Sequence, residues 1–207
     1  MQAYKKTIIL ADGDFPRHEI PLSYLKNAAR IVCCDGSANR LIRAGFIPAA
    51  IVGDLDSVSM EIREKYSEKL FPDPDQETND LTKAVKWCIK KGFSDLVILG
   101  ATGKREDHTI GNISLLAEYV RDAEIIMVTD TGFLYPYLKS CIFKAIPGQQ
   151  ISVFSINPET EITSVGLRYP LVRKKLLNWW EATLNEAAAG VVELDFEGGT
   201  IIVFMEF

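Results

Sequence analysis

Short apolar runs alternate with amphipathic stretches along the first part of the chain. Thr7-Ile8-Ile9-Leu10, Ile31-Val32-Cys33-Cys34, Ala49-Ala50-Ile51-Val52 and Asp95-Leu96-Val97-Ile98-Leu99 are compact and aliphatic, the texture of strands buried on both faces. Briefer strands are expected over Lys69 to Phe71 and Glu124 to Thr129. Between them the pattern predicts helices over Pro21 to Ala29, Arg40 to Ala44 with Gly45 as a stop, Ser59 to Tyr66, and about Asp107 to Val120. The clearest helix follows Asn79-Asp80, where Leu81, Ala84, Val85, Cys88 and Ile89 recur at helical spacing and mark one face as core. Strand and helix thus alternate to about residue 130, which predicts an α/β domain with a mainly parallel sheet flanked by helices. Right-handed crossovers then bring the loops that follow the strands to one edge of that sheet.

After Gly132 the texture changes. Cys141-Ile142-Phe143, Ile151 to Ile156, Val191 to Phe196 and Thr200 to Phe204 are short strands separated by Gly, Pro or Asn, and Glu197-Gly198-Gly199 reads as a hairpin turn between the last two. The expectation is a small all-β domain, an antiparallel sandwich over residues 133–207, following an α/β domain over residues 1–132. Adjacent Trp179 and Trp180 would face opposite ways in a strand, and core or interface packing is the expected use.

Composition narrows the class. A formal charge of −5 over 207 residues disfavours a general binder of phosphate backbones, so no nucleic-acid partner is expected. The opening Met1 to Lys6 precedes an apolar run too short for a secretory signal, and no later run reaches the length of a membrane span, so a cytoplasmic protein without a membrane partner is expected. Cys33, Cys34, Cys88 and Cys141 lack paired Cys-x-x-Cys spacing and read as reduced thiols. His18 and His108 alone leave little room for a histidine-rich metal site.

The chemistry gathers at the strand ends. Gly53-Asp54-Leu55-Asp56-Ser57 follows the third apolar run, and if the extended geometry persists both carboxylates fall on one face. Paired carboxylates repel unless a cation or proton lies between them, and all-oxygen ligands suit Mg²⁺. The plainer alternative is a turn in which Asp and Gly only satisfy backbone groups. Ala11-Asp12-Gly13-Asp14 and Asp35-Gly36-Ser37-Ala38-Asn39 repeat the pattern, while Gly100 to His108 adds glycines, Lys104 and Arg105, which suit phosphate oxygens. Asp80 and Lys83 share a helix face, as a surface ion pair or as part of this site. Together these loops suit a nucleotide bound through a divalent cation, although neither a Gly-x-x-x-x-Gly-Lys-Ser/Thr loop nor a well-placed Gly-x-Gly-x-x-Gly is found.

In this order and spacing, Asp35-Gly36-Ser37-Ala38-Asn39, Gly53-Asp54-Leu55-Asp56-Ser57, Asp75-Gln76 with Asn79-Asp80 and Lys83, and Gly103-Lys104-Arg105-Glu106-Asp107-His108 resemble the thiamine pyrophosphokinase family. Gly166-Leu167-Arg168-Tyr169 and Thr183-Leu184-Asn185-Glu186 extend the resemblance over nearly the full length. It implies an α/β ATP-binding catalytic domain, a β-sandwich domain for thiamine binding and dimerisation, and a homodimer with active sites between subunits. The implied reaction moves an intact diphosphate from ATP to the hydroxyl of thiamine, giving thiamine diphosphate and AMP with Mg²⁺ as cofactor. Carried over by motif, Asp54, Asp56 and Asp80 are the catalytic, magnesium-organising residues. Asp35, Asn39, Gln76, Lys83, Arg105 and Asp107 become candidates for holding ATP, and Thr183 and Asn185 for thiamine. The chain departs from the family pattern at Ser37, usually glycine, at Asn79, usually threonine, at Tyr169, commonly tryptophan, and at Leu184, usually serine. The competing readings are a metal-dependent hydrolase of nucleotides or phosphate esters and a non-catalytic sensor of nucleotide or thiamine.

Overall fold

The computed structural model describes residues 6–207; the residues before these, on which the reading of the N-terminus bears, lie outside the described part. The chain divides into two compact units. One comprises the chain through Leu115 with Asp122–Asp130, the other Leu116–Arg121 with Thr131–Phe207.

Among the described residues the first unit carries six strands, β1 (Thr7–Leu10), β2 (Arg30–Cys34), β3 (Ala50–Gly53), β4 (Leu70–Pro72), β5 (Asp95–Leu99) and β6 (Glu124–Val128). They lie in the order β6-β5-β1-β2-β3-β4, every pair parallel. Ile8, Ile9, Val32, Cys33, Ala50, Ile51 and Leu96 to Leu99 are all shut away from solvent, as strands covered on both faces require. Helices α1 (Glu19–Lys26), α2 (Ser37–Arg43), α3 (Met60–Lys65), α4 (Asp80–Lys90) and α5 (Glu106–Tyr119) make the connections. α4 begins at an Asn79 cap whose side chain accepts from Thr82 N at 2.9 Å, and it buries Leu81, Ala84, Val85 and Cys88. α2 starts earlier than its apolar pattern suggests, because Ser37 and Ala38 are buried and Ser37 Oγ donates to Leu10 O at 2.7 Å. Cys33, Cys34 and Cys88 are buried free thiols, whereas Cys141 is only half-buried.

The second unit is antiparallel β. β7 (Gly132–Tyr137), β9 (Gln150–Ser155), β12 (Asn185–Glu186) and β14 (Ile201–Glu206) make one layer of the unit in the order β12-β9-β14-β7. β8 (Cys141–Lys144), β10 (Glu161–Val165), β11 (Lys174–Lys175) and β13 (Val191–Phe196) form the other, ordered β11-β10-β13-β8. Ile151, Val153, Ile201 and Val203 from the first meet Ile162, Val192, Leu194 and Phe196 from the second in a common core. The expected hairpin at Glu197-Gly198-Gly199 is therefore wrong: β13 and β14 belong to different sheets. Gly198 and Gly199 both have positive φ and carry the chain across the sandwich, where Thr160 Oγ1 donates to Gly198 O and Asn157 Oδ1 accepts from Thr200 N. Trp179 and Trp180 lie in a turn instead of a strand. Trp179 packs edge-on to Phe154 with ring centroids 5.9 Å apart, and Trp180 is 73% exposed.

Candidate active site

The carboxyl ends of β1, β2, β3 and β5 deliver the four loops singled out by the sequence to one edge of the parallel sheet, the position where open α/β sheets collect ligands. The β1 and β5 loops are locked together. Gly13 N donates to Gly100 O at 2.6 Å and Asp14 N to Thr102 O at 2.8 Å. A Cβ on Gly13 would run into those same two carbonyls, so glycine is required by the close approach.

Asp35, Asp54 and Asp56 each bring a carboxylate oxygen into a group lying within 4.8 Å of one another. Their convergence has a different cause from the alternation expected of a strand. The chain leaves β3 at Gly53, Leu55 takes φ 67° with its side chain buried, and Asp54 Oδ1 accepts from Asp56 N at 3.2 Å, so a turn aims both carboxylates. Ser57 then reaches both ways, its hydroxyl donating to Asp56 Oδ1 at 2.8 Å and its N–H to Asp35 Oδ2 at 3.2 Å. Asp35 is only 5% exposed and also holds a positive φ, 39°. Its Oδ1 is buried with no hydrogen-bond partner among the described residues. Burial pushes the Asp35 carboxyl above its ordinary range, Ser57 partly offsets this, and the nearby Asp80 charge adds to it. Among the described residues of this unit, the non-glycine residues with positive φ, Asp35, Leu55 and Lys104, fall in these loops, where strain is held by the surrounding packing.

A cavity of about 300 Å³ opens beside this group, and its lining includes Asp12, Asp35 and Asp80 together with Lys104, Arg105 and His108. A shallower depression shares Asp12, Gly36 and Ser57 with it and is lined by Asn39, Arg40, Arg43, Asp56 and Arg63.

Of the residues assigned catalytic and metal roles by resemblance, Asp54 and Asp56 lie in the carboxylate group. Asp35 is its third member, while Asp80 stands next to it with Oδ1 3.2 Å from Lys83 Nζ. That pair is not a surface ion pair, because Lys83 is 4% exposed. Asn39 spends its side chain on the loop, donating to Gly36 O and Ser57 O and accepting from Ser59 N. Arg105 lines the cavity and pairs with Asp107, whose carboxyl the guanidinium holds down at about 2. Gln76 is exposed, its side chain donates to Pro74 O at 3.3 Å, and among the described residues it is not part of the lining of either depression. In the second unit Thr183 Oγ1 donates to Trp180 O at 2.8 Å. Buried Asn185 accepts from Tyr169 N and Glu186 N and donates to Tyr169 O.

Sequence reasoning did not single out Asp12 or Arg40 as site residues, yet both line the site and pair with each other. The signal available for Asp12 was its place at the end of a buried strand; Arg40 looks like any polar helix residue. Asn112 was also missed. It donates to Ala101 O at 2.8 Å and accepts from Asn79 at 3.2 Å, tying α4 and α5 together at the cavity wall.

Fold and site define a protein of two units, a parallel α/β unit with a carboxylate- and guanidinium-lined cleft at its strand ends and an antiparallel β-sandwich. More narrowly, the chain belongs to the thiamin pyrophosphokinase family: the catalytic-domain model matches residues 22–129 and the substrate-binding-domain model residues 132–204. Thiamine pyrophosphokinase of Bacillus subtilis is 30% identical over 177 residues, covering 80% of this chain and 82% of that protein. Thiamine pyrophosphokinase 1 of Oryza sativa is 31% identical over 170 residues, and thiamin pyrophosphokinase 1 of Caenorhabditis elegans 28% over 155, each covering 68% of this chain. The matches span 64% and 63% of those two relatives' length, somewhat under two thirds. The same fold occurs in crystal structures of thiamine pyrophosphokinase from Bacillus subtilis, with TM-score 0.79 and 23% identity over 97% of this chain and 99% of that one. The yeast enzyme gives TM-score 0.78 and 17% identity over 99% and 87%. No helix among the described residues is long and apolar enough to cross a membrane.

Proposed function

We propose that this protein is a thiamine diphosphokinase, transferring the diphosphate of ATP to the hydroxyl of thiamine with release of AMP. The observation that carries this reading is the convergence of Asp35, Asp54 and Asp56 at a strand-end cleft that also holds Lys104 and Arg105. Family membership supports the choice of thiamine as acceptor.

The donors suit Mg²⁺: they are hard carboxylate oxygens, and a buried, unpartnered oxygen on Asp35 is a group that a cation would satisfy. Asp35, Asp54 and Asp56 would hold the ion, with Asp80 beside them. When bound, Mg²⁺ screens the triphosphate from these carboxylates and offsets the charge that develops during transfer. The chain's own residues do the rest by positioning. Lys104 and Arg105 offer hydrogen bonds to phosphate oxygens, Lys83 fixes Asp80 from below, and Asn39 holds the Ser57 and Ser59 backbone in place. The thiamine oxygen forms a bond to the β-phosphorus as the bond from that phosphorus to the α-phosphate oxygen breaks. The hydroxyl proton leaves for a base or solvent, and AMP departs with the electron pair.

In this reading Gln76 and Asp107 are further ATP-side residues, Thr183 and Asn185 are thiamine-side residues, and the protein works as a homodimer with active sites between subunits. The buried thiols Cys33, Cys34 and Cys88 suit the reducing cytoplasm. Incubation with ATP, Mg²⁺ and thiamine, resolving AMP from ADP and phosphate, tests the reading. AMP and thiamine diphosphate in equal amounts are expected. Phosphate released without need of thiamine would replace the transferase by a hydrolase, and no turnover would leave a sensor.

A further inference from the structure

We propose that Asp12 is a positioning residue that holds Arg40 and Lys104 away from the Asp35, Asp54 and Asp56 carboxylates, leaving that group free for a divalent cation. The proposal rests on the metal reading above and adds a residue that takes no part in it by contact.

Asp12 sits between two cations brought from opposite sides. Its Oδ1 accepts from Arg40 Nη2 on α2, and its Oδ2 lies 3.3 Å from Lys104 Nζ in the loop after β5. The backbone around it is fixed, because Ala11 N, Gly13 N and Asp14 N all donate to carbonyls of the β5 strand and loop. Asp12 is the acidic residue common to both depressions, so it stands on the ridge between them. Arg40 lines the same depression as Asp56, and Lys104 the same cavity as Asp35. Without Asp12, Arg40 would be left sharing one depression with the Asp56 carboxylate and Lys104 sharing the other with the Asp35 carboxylate. Pairing with those would place a positive charge where the ion belongs, and loss of the Asp12 charge would weaken cation binding in the same direction.

Direct binding of Mn²⁺ to the nucleotide-free protein, followed by electron paramagnetic resonance and by calorimetry, tests this without reference to turnover. Asp12→Asn is expected to weaken Mn²⁺ binding about fivefold or more, the scale of a unit charge acting across a solvent-exposed cleft. Arg40→Gln alone, which leaves the Asp12 loop intact and the cleft more negative, is expected to tighten binding about threefold. The double variant D12N/R40Q should return to within about twofold of the parent protein. Unchanged affinity in D12N overturns the proposal, as does a double variant as weak as D12N. Should D12N fail to fold, R40Q decides, and affinity equal to or below that of the parent overturns the proposal. If the unmodified protein binds no Mn²⁺, the metal reading falls and this inference with it; if it binds and the variants match it, only the inference falls.

Discussion

Lys83 Nζ lies 3.2 Å from Asp80 Oδ1, one turn earlier on α4, and the lysine is almost wholly buried while the Asp80 side chain is 36% exposed. A lysine stem sunk into the core with its ammonium presented to one carboxylate at a cleft orients that carboxylate. Lys83→Met keeps the stem's volume and lets Asp80 return to solvent. It should therefore change the free energy of unfolding by no more than about 1–2 kcal/mol while lowering AMP formation roughly 100-fold. Urea denaturation and a turnover assay on the same preparation separate the two effects.

Asp54→Asn and Asp56→Asn each remove one charge from a group whose members are fixed by Ser57 and by the Leu55 turn. Each is expected to lower turnover at least ~100-fold at saturating Mg²⁺, the scale of one major electrostatic contact. Both side chains are exposed, so the melting temperature should hold within a few degrees. Near-normal turnover in both variants would remove the carboxylate group from the mechanism.

Asp35→Asn should behave differently, because Asp35 is buried with an unpartnered oxygen. Its raised carboxyl pKa means that the folded state holds this proton more tightly than the unfolded chain does. Stability conferred by the protonated form is complete below the unfolded pKa and is lost as pH rises through the folded one. At neutral pH the charge therefore costs stability, and Asp35→Asn should raise the melting temperature of the metal-free protein while abolishing the further rise on adding Mg²⁺. Differential scanning calorimetry with and without the ion reads both. An Asn variant melting lower than the parent without metal would contradict the burial argument.

The Arg105–Asp107 pair works in the opposite sense. Asp107 is held at about 2 by the guanidinium and by the His108 N–H, so the pair persists until pH falls through that value. Carbon-detected titration of Asp107 should show a midpoint near 2, and Arg105→Gln should return it toward the ordinary value of about 4.

Strands β1, β2, β3 and β5 were legible because burial on both faces leaves an uninterrupted aliphatic run, and the loops that follow them were legible because Asp and Gly interrupt it abruptly. β7 was missed: it carries Pro136 and alternates buried with half-buried positions instead of running apolar throughout. β11 and β12 are two residues each and leave no period to read. The β13–β14 turn was misread because glycines that close a hairpin and glycines that cross a sandwich have the same composition. Asp54 and Asp56 stood out by adjacency. Asp35 joins them only through the pairing of β2 with β3, and Asp12 finds its partners 28 and 92 residues away. Contacts of that range depend on sheet order, which local pattern does not carry.

Asn185 makes the final case, since family resemblance assigns it to thiamine and its surroundings assign it to the fold. Its amide accepts from Tyr169 N at 3.1 Å and donates to Tyr169 O at 2.7 Å, so from the start of β12 it pairs both backbone groups of the exposed Tyr169. Asn185→Ala would strand both Tyr169 backbone groups and should cost roughly 2–3 kcal/mol in urea denaturation. Asn185→Asp keeps the acceptor and loses one donor, so about half that cost is expected. If Asn185 acts on thiamine only by fixing Tyr169, the KM for thiamine should rise in step with destabilisation across the two variants, with kcat little changed. A KM that rises about tenfold in Asn185→Asp while stability barely moves would instead mark direct contact between the amide and the substrate.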